Sequence, residues 1–567
     1  MYQELKDVRA ELTGPDGMFA ITETEIRGQM LKTYALAPPS LREIWQLSAA
    51  HGDRDYLVYE DETWTYSQAH AEAAAIANWT QAQGIKQGDR VALAMRNYPE
   101  WMLCYWALTS IGVAVVGFNA WWVTDELDYG LSDSKPKAFI CDVERLKNLL
   151  PIRDKYADMA VVGVRLPEPV EGVIDYAELK NFGGSLPDAT IDGDEDACIF
   201  YTSGTTGRPK GAQLTHRGCV TNIINVACMN TISAMALARA NGTEDQLPAP
   251  GEAPPAVALV TSPLFHVTAN NCGIQPATMA GGKLVHMYKW DAGEALRLIE
   301  KEKINSVGGV PVMARELIAH PDFEKYDTSS LVNLAGGGAQ LQPDLVDKID
   351  RKLPTGKPAT GYGMTETCGV ITSISSDFFI DRPESCGMLV PSMEARVVDN
   401  SGNVLGVGEV GELCVRGSNV IKGYLNRPDA TAETIIDGWL HTGDIARMDE
   451  EGFFYIVDRA KDMVLRGGEN IYCAEVETAI FKHDSVVECV VFGVADERLG
   501  EEVGAVVVIA PDAELDIDEL RAHCSNLLAK FKIPRYIWLR NELLPRNANG
   551  KFLKRELRDT LDPADAK

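Results

Sequence analysis

Residues 201–211 read Tyr-Thr-Ser-Gly-Thr-Thr-Gly-Arg-Pro-Lys-Gly and follow directly on the apolar run 197–200. A strand feeding a loop crowded with backbone N–H groups, hydroxyls and one cation suits a polyphosphate, because each element offers hydrogen bonds or charge to anionic oxygens. The stretch departs from the G-x-x-x-x-G-K-[ST] loop that runs straight into a helix. Pro209 and Gly211 flank Lys210 and break any helix started there. A nucleoside triphosphate is the expected ligand, in a parallel α/β fold that carries such loops at the carboxyl ends of its strands. The other reading of these residues is a plain surface loop, which glycine, serine and threonine also favour.

Around that loop, strand-like runs alternate with helical ones. Runs at 90–95, 113–118 and 137–141 are separated by helical patterns at 99–111 and 124–131, and the alternation returns at 257–260, 283–288, 306–310, 331–335 and 358–362. This predicts two parallel sheets wrapped by helices, with Tyr201, Gly336 and Tyr362 at strand ends. Asp291 is an expected N-cap, with Glu294 completing a capping box. Residues 394–416 alternate in polarity about the turn Asn400-Ser401-Gly402, which predicts a small antiparallel, barrel-like unit. Residues 241–255 read as a surface loop, and after Asp458 the pattern becomes mixed α+β. The expected organisation is a large domain 1–458, with 1–30 as a surface extension, followed by a small domain 462–567.

Composition excludes several classes. The 54 basic residues against 82 acidic ones leave a net charge of -28 over 567 residues, which opposes nucleic acid and anionic membranes. Anionic substrates must therefore be met by local cations. The 12 cysteines form no Cys-x-x-Cys pair, so they read as reduced, buried side chains of a cytoplasmic protein. The apolar stretch 101–123 is interrupted by Thr109, Ser110, Gly112 and Asn119, which favours a buried helix followed by a core strand over a membrane span. The first residues show no secretion signal and the last no peroxisomal address.

With Thr202–Gly211 quoted, the chain resembles the adenylate-forming enzymes: acyl-CoA synthetases, firefly luciferase and the adenylation domains of peptide synthetases. Further segments resemble that family in its order: Pro-Leu-Phe-His-Val at 263–267, Ala-Gly-Gly-Gly-Ala-Gln-Leu at 335–341, Gly-Tyr-Gly-Met-Thr-Glu at 361–366, residues 422–428, Gly-Trp-Leu-His-Thr-Gly-Asp at 438–444, Asp-Arg-Ala-Lys-Asp at 458–462 and Pro-Arg-Asn-Ala-Asn-Gly-Lys at 545–551. The resemblance implies a carboxylic acid:CoA ligase that uses ATP, Mg²⁺ and coenzyme A by way of an acyl-AMP. A chain with no appended carrier domain favours free coenzyme A, and a homodimer is compatible with it. An acyl-AMP ligase serving a carrier protein, a luciferase-like oxidase and a non-catalytic nucleotide-binding protein stand as the alternatives.

The site follows residue by residue. Lys210 with Thr202, Ser203, Gly204, Thr205, Thr206 and Gly207 is expected at the phosphates. Tyr362 offers adenine a flat face, Gly337 and Gly338 allow close backbone approach, and Ala339 and Gly363 are expected beside the nucleotide. Glu366 is the expected Mg²⁺ ligand, since that ion prefers carboxylate and phosphate oxygens, and Thr365 the donor to the α-phosphate. Asp444 suits a vicinal diol, although an isolated Asp or Arg is usually a solvated surface charge, so its ribose role rests mainly on the resemblance. The resemblance implies Arg459 as the second ribose contact, Lys461 as the hinge, and Gly467, Gly468 and Glu469 along the coenzyme A tunnel. Lys551 follows a loop-like segment and on its residues alone could equally be a solvated surface lysine; the resemblance implies that it bridges carboxylate and α-phosphate, where a fixed positive charge stabilises the transition state. His266 lines or gates an acyl pocket, or is a satisfied core histidine. Gly308, Gly309 and Gly336 vacate volume for an acyl chain or serve turns.

Overall fold

The computed structural model describes residues 1–567 except 203–207, 250–252, 354, 468, 511–512 and 547–551. Its first sheet has seven strands, in the order 210–215, 196–202, 114–117, 90–94, 138–142, 160–164 and 174–175. All neighbours pair in parallel except Lys210–Thr215, which returns antiparallel along Asp196–Thr202. The phosphate-loop segment thus joins two strands of a hairpin, as the helix-breaking Pro209 and Gly211 require. The helix Pro99–Thr109 is buried at every position, and the strand Ala114–Gly117 follows it into the core. That is the helix-then-strand expected for 101–123.

The second sheet has 14 strands. Its parallel centre runs 333–336, 306–309, 257–260, 283–286 and 55–59, and 357–364 joins in parallel beside 333–336. Beyond 357–364 the pairing turns antiparallel through 369–375, 387–389, 453–459, 439–448, 411–417 and 393–398. The antiparallel unit expected near 394–416 forms, and its strands hydrogen-bond on into this larger sheet. A third sheet of five strands, from Val464–Arg466 to Tyr536–Arg540, has its own apolar core around Val491, Val507 and Ile480.

Three expectations need revision. Residues 1–30 are docked against the protein: the helix Tyr2–Thr13 buries Leu5, Val8 and Leu12 in the second core cluster and packs along the helix His216–Asn241. The hairpin Ile21–Ile26 and Gln29–Tyr34 follows, fixed where the Tyr34 hydroxyl donates to Asn225 Oδ1 at 2.7 Å. At helix Ala292–Glu302, Asp291 caps the Glu294 N–H at 2.8 Å, but the Glu294 carboxylate accepts from Arg297 instead of closing a box. An arginine one turn on offers the acid a charged partner. The helix His216–Asn241 is long and apolar enough to cross a bilayer; it runs into residue 241, where a loop was expected, and 56% of its apolar window is buried inside the protein, as in a core helix. All 12 cysteines are free thiols, ten of them buried.

Candidate active site

The hairpin positions the side chains expected at the phosphates. Tyr201 is anchored by its hydroxyl to Asp133 Oδ2 at 2.8 Å, and the Tyr129 hydroxyl donates to Pro209 O at 2.8 Å. Residues 421–425 lie along the outer strand: Lys422 N donates to Gln213 O, Gln213 N to Gly423 O, and Leu425 N to Gly211 O. This pairing sets Tyr424 between two expected site residues. Its hydroxyl donates to Glu366 Oε1 at 2.7 Å, and Lys210 Nζ stands 5.0 Å from its ring centre. Burial first, and then the Glu366 carboxylate, raise the Tyr424 phenol, so it stays protonated as donor.

Thr365 and Glu366 occupy the turn Thr365–Thr367 between the antiparallel strands Lys357–Met364 and Gly369–Ser375. Glu366 is only 7% exposed, and its backbone carbonyl accepts from Ile421 N at 2.9 Å. The turn closes on Cys368 at φ 53, packed against the buried helix start at Gly218. The carboxylate is thereby held at the floor of the cleft. Carboxylate and hydroxyl oxygens together are a hard donor set that fits Mg²⁺ shared with phosphate oxygens.

Tyr362 and Asp444 meet from different strands. The Tyr362 hydroxyl donates to Asp444 Oδ2 at 2.6 Å, and Asp444 Oδ1 lies 3.5 Å from Arg459 Nε, its direct cross-strand partner. Burial and then the adjacent carboxylate hold the Tyr362 phenol well above its ordinary value. The phenol therefore stays protonated as the donor to Asp444. Gly337 N donates to Gly309 O at 2.8 Å as the last rung of the parallel ladder, and Gly338, at φ 76, takes the chain on into the glycine loop.

These groups line one cleft of about 1790 Å³. Thr202, Lys210, His266, Gly338, Ala339, Tyr362, Gly363, Thr365, Glu366, Asp444, Arg459 and Lys461 are all on its wall, brought together from strands and loops spread over some 260 residues of chain. Glu477, Glu488, Arg546 and Lys554 of the C-terminal part face them, with Lys554 paired to Glu477 at 2.8 Å. Val310, Val312, Ile318, Leu341 and Leu345 supply an apolar flank. His266 stands just before the turn Val267–Ala269, with Thr268 Oγ1 3.4 Å from its Nδ1.

Other expected residues stand elsewhere. A side chain at Gly309 would meet Met313 Sδ at 2.7 Å and one at Gly336 would meet Leu341, so these glycines serve packing; Gly308 alone of the three faces open space. Gly467, at φ 58, follows the strand Val464–Arg466, and the exposed Glu469 begins the strand Glu469–Ile471; neither is on the cleft wall. Gly363 has no room for a Cβ against Gly369. Ser203, Gly204, Thr205, Thr206, Gly207, Gly468 and Lys551 lie outside the described residues. Sequence reasoning missed Tyr424, although residues 422–428 carried the resemblance; the signal was there without a role, because the role depends on pairing with residues 211–213.

Comparison with known proteins agrees with this geometry. Residues 44–425 match the AMP-binding enzyme family, and residues 475–551 match the AMP-binding enzyme C-terminal domain. The chain is 36% identical over 497 residues to a feruloyl-CoA synthase of an Amycolatopsis species, covering 87% of this chain and 93% of that one. It is 32% identical over 551 residues to a long-chain-fatty-acid–CoA ligase of Bacillus subtilis (strain 168), covering 91% and 94%. Among solved structures it is similar to o-succinylbenzoate coenzyme A synthetase of Bacillus subtilis in complex with ATP and magnesium ion, with a TM-score of 0.75, 28% identity and coverage of 91% and 99%. The chain belongs to the AMP-binding enzyme family, and within it to the acyl-CoA synthetase type.

Proposed function

We propose that this cleft joins an apolar carboxylic acid to coenzyme A through an acyl adenylate, with each side chain in the role its position suggests. The chain is an AMP-forming acid–CoA ligase. In the first half-reaction a carboxylate oxygen attacks the α-phosphorus of ATP and pyrophosphate leaves; in the second the thiol of coenzyme A attacks the acyl carbon and AMP leaves. Adenylation replaces a poor leaving group with a good one.

Lys210 and the hydroxyl of Thr202 face the phosphates, and Thr365 donates to the α-phosphate. Glu366 holds Mg²⁺, which when bound neutralises charge on the phosphates. Tyr362 supports adenine, and Asp444 with Arg459 takes the ribose hydroxyls. Lys551 is proposed as the cation between carboxylate and α-phosphate, and residues 459–461 as the hinge between domains 1–458 and 462–567. Val310, Val312, Ile318 and Leu341 favour an apolar acyl body, aryl or alkyl, as the names of the relatives also suggest. The observation that carries the reading is the convergence of Lys210, Tyr362, Glu366, Asp444 and Arg459 on one wall. The test is a panel of alkyl and aryl acids assayed for pyrophosphate release with and without coenzyme A. Release with acid, ATP and Mg²⁺ together, and thioester on adding coenzyme A, is expected; ADP and orthophosphate as products would exclude it.

A further inference from the structure

Asp444 does not sit in regular sheet. Strand Trp439–Met448 pairs with strand Gly411–Gly417 as Leu440 with Val415 and His441 with Cys414, then resumes as Ile445 with Glu412 and Ala446 with Gly411. Between those pairs Leu413 alone faces Thr442, Gly443 and Asp444, which is a bulge, and Gly443 takes φ 71 within it. Bulges re-aim side chains beside active sites, and the backbone groups they free need new partners.

Four of those groups find partners close by. The Gly443 N–H donates to Glu412 Oε1 at 3.1 Å, and the Asp444 N–H to Thr442 Oγ1 at 3.1 Å. The Thr442 hydroxyl donates in turn to Leu413 O at 2.7 Å. Gly443 O accepts from Ala460 N at 2.9 Å, one residue before Lys461. The second oxygen of Glu412 is pinned by His441 Nδ1 at 2.8 Å.

We propose that Glu412 is a positioning residue for ATP: its carboxylate, pinned by His441, holds the bulge that aims Asp444 at the ribose and that anchors Ala460. The proposal rests on the assignment of Asp444 to the ribose. Glu412, Cys414 and His441 also place three ligand atoms within 4.8 Å of one another. The 2.8 Å approach of Nδ1 to Oε2, however, is a hydrogen bond whose proton fills the place a cation would need, and burial with the Glu412 charge pushes the Cys414 thiol up to about 11. The trio therefore reads as a scaffold for the bulge.

The test measures binding of ATP and of its dideoxy analogue, which lacks both ribose hydroxyls, by calorimetry in the absence of acid. The wild type should prefer ATP by about tenfold or more, the scale of one hydrogen bond to a charged group. Glu412→Ala should narrow that preference toward none while leaving affinity for the analogue unchanged. Glu412→Gln, which keeps an acceptor for Gly443, should restore it. Should Glu412→Ala fail to fold, His441→Phe removes the pin and should narrow the preference part of the way. A Glu412 or His441 variant that weakens both nucleotides alike, with the preference intact, overturns the proposal. A wild type without preference overturns the ribose assignment and the proposal with it. Failure of the ligase reading shows separately, as no adenylate from any acid.

Discussion

At the residue scale the candidate site turns on Glu366 and the tyrosine that holds it. Tyr424 donates at 2.7 Å to a carboxylate that is 7% exposed, so its loss leaves Glu366 less firmly aimed. Tyr424→Phe should lower kcat/KM by about tenfold or more, the scale of a hydrogen bond to a charged group, and raise the Mg²⁺ concentration needed for half-maximal rate. Glu366→Gln should cost more, about 2 kcal/mol or above in transition-state stabilisation. Steady-state rates over a Mg²⁺ titration check both, and unchanged Mg²⁺ dependence in Glu366→Gln would show that Glu366 is not the ligand. Glu366 was legible from its local run of residues. Tyr424 and Glu412 were not, because their partners are 58 and 31 residues away and are brought near only by strand pairing.

At the element scale the alternation of apolar strands and amphipathic helices announced the parallel sheets, and the helix breakers beside Lys210 announced a loop that does not enter a helix. The N-terminal helix was misjudged because its acids and lysine dominate the composition. Leu5, Val8 and Leu12 nonetheless recur at helical spacing on one face, and that face is buried. Val8 is 0% exposed, so Val8→Asp should destabilise by about 3 kcal/mol through an unpaired buried charge. Urea unfolding gives the value, and an unchanged midpoint would contradict the docking. The hinge is tested by half-reactions. Lys461→Pro fixes φ and removes a backbone donor, so it should slow thioester formation from synthetic acyl-AMP more than it slows adenylation. Lys551→Ala should do the reverse, with adenylation reduced by roughly a hundredfold.

At the scale of the whole molecule, stability should depend on pH through two buried histidines. His216 is 0% exposed and accepts the Leu41 N–H at Nδ1, while His286 is 3% exposed. Burial pushes them down to about 3 and about 4. Both are neutral in the folded protein and take up a proton on unfolding below pH ~6.5, so stability is full above that value and falls as pH drops toward 4. The loss should reach about 2 kcal/mol per histidine at pH 5. Urea midpoints at pH 7.5 and pH 5 check the sign, and His286→Gln should flatten part of the slope.

The central claim is that an oxygen of the acid attacks the α-phosphorus of ATP in this cleft. The acid is supplied with both carboxylate oxygens labelled as oxygen-18, together with ATP, Mg²⁺ and coenzyme A, and the products are weighed by mass spectrometry. Attack at the α-phosphorus carries one labelled oxygen into AMP, leaves the other in the thioester, and keeps pyrophosphate unlabelled. Label in orthophosphate with ADP as co-product would place the attack at the γ-phosphorus and contradict the account.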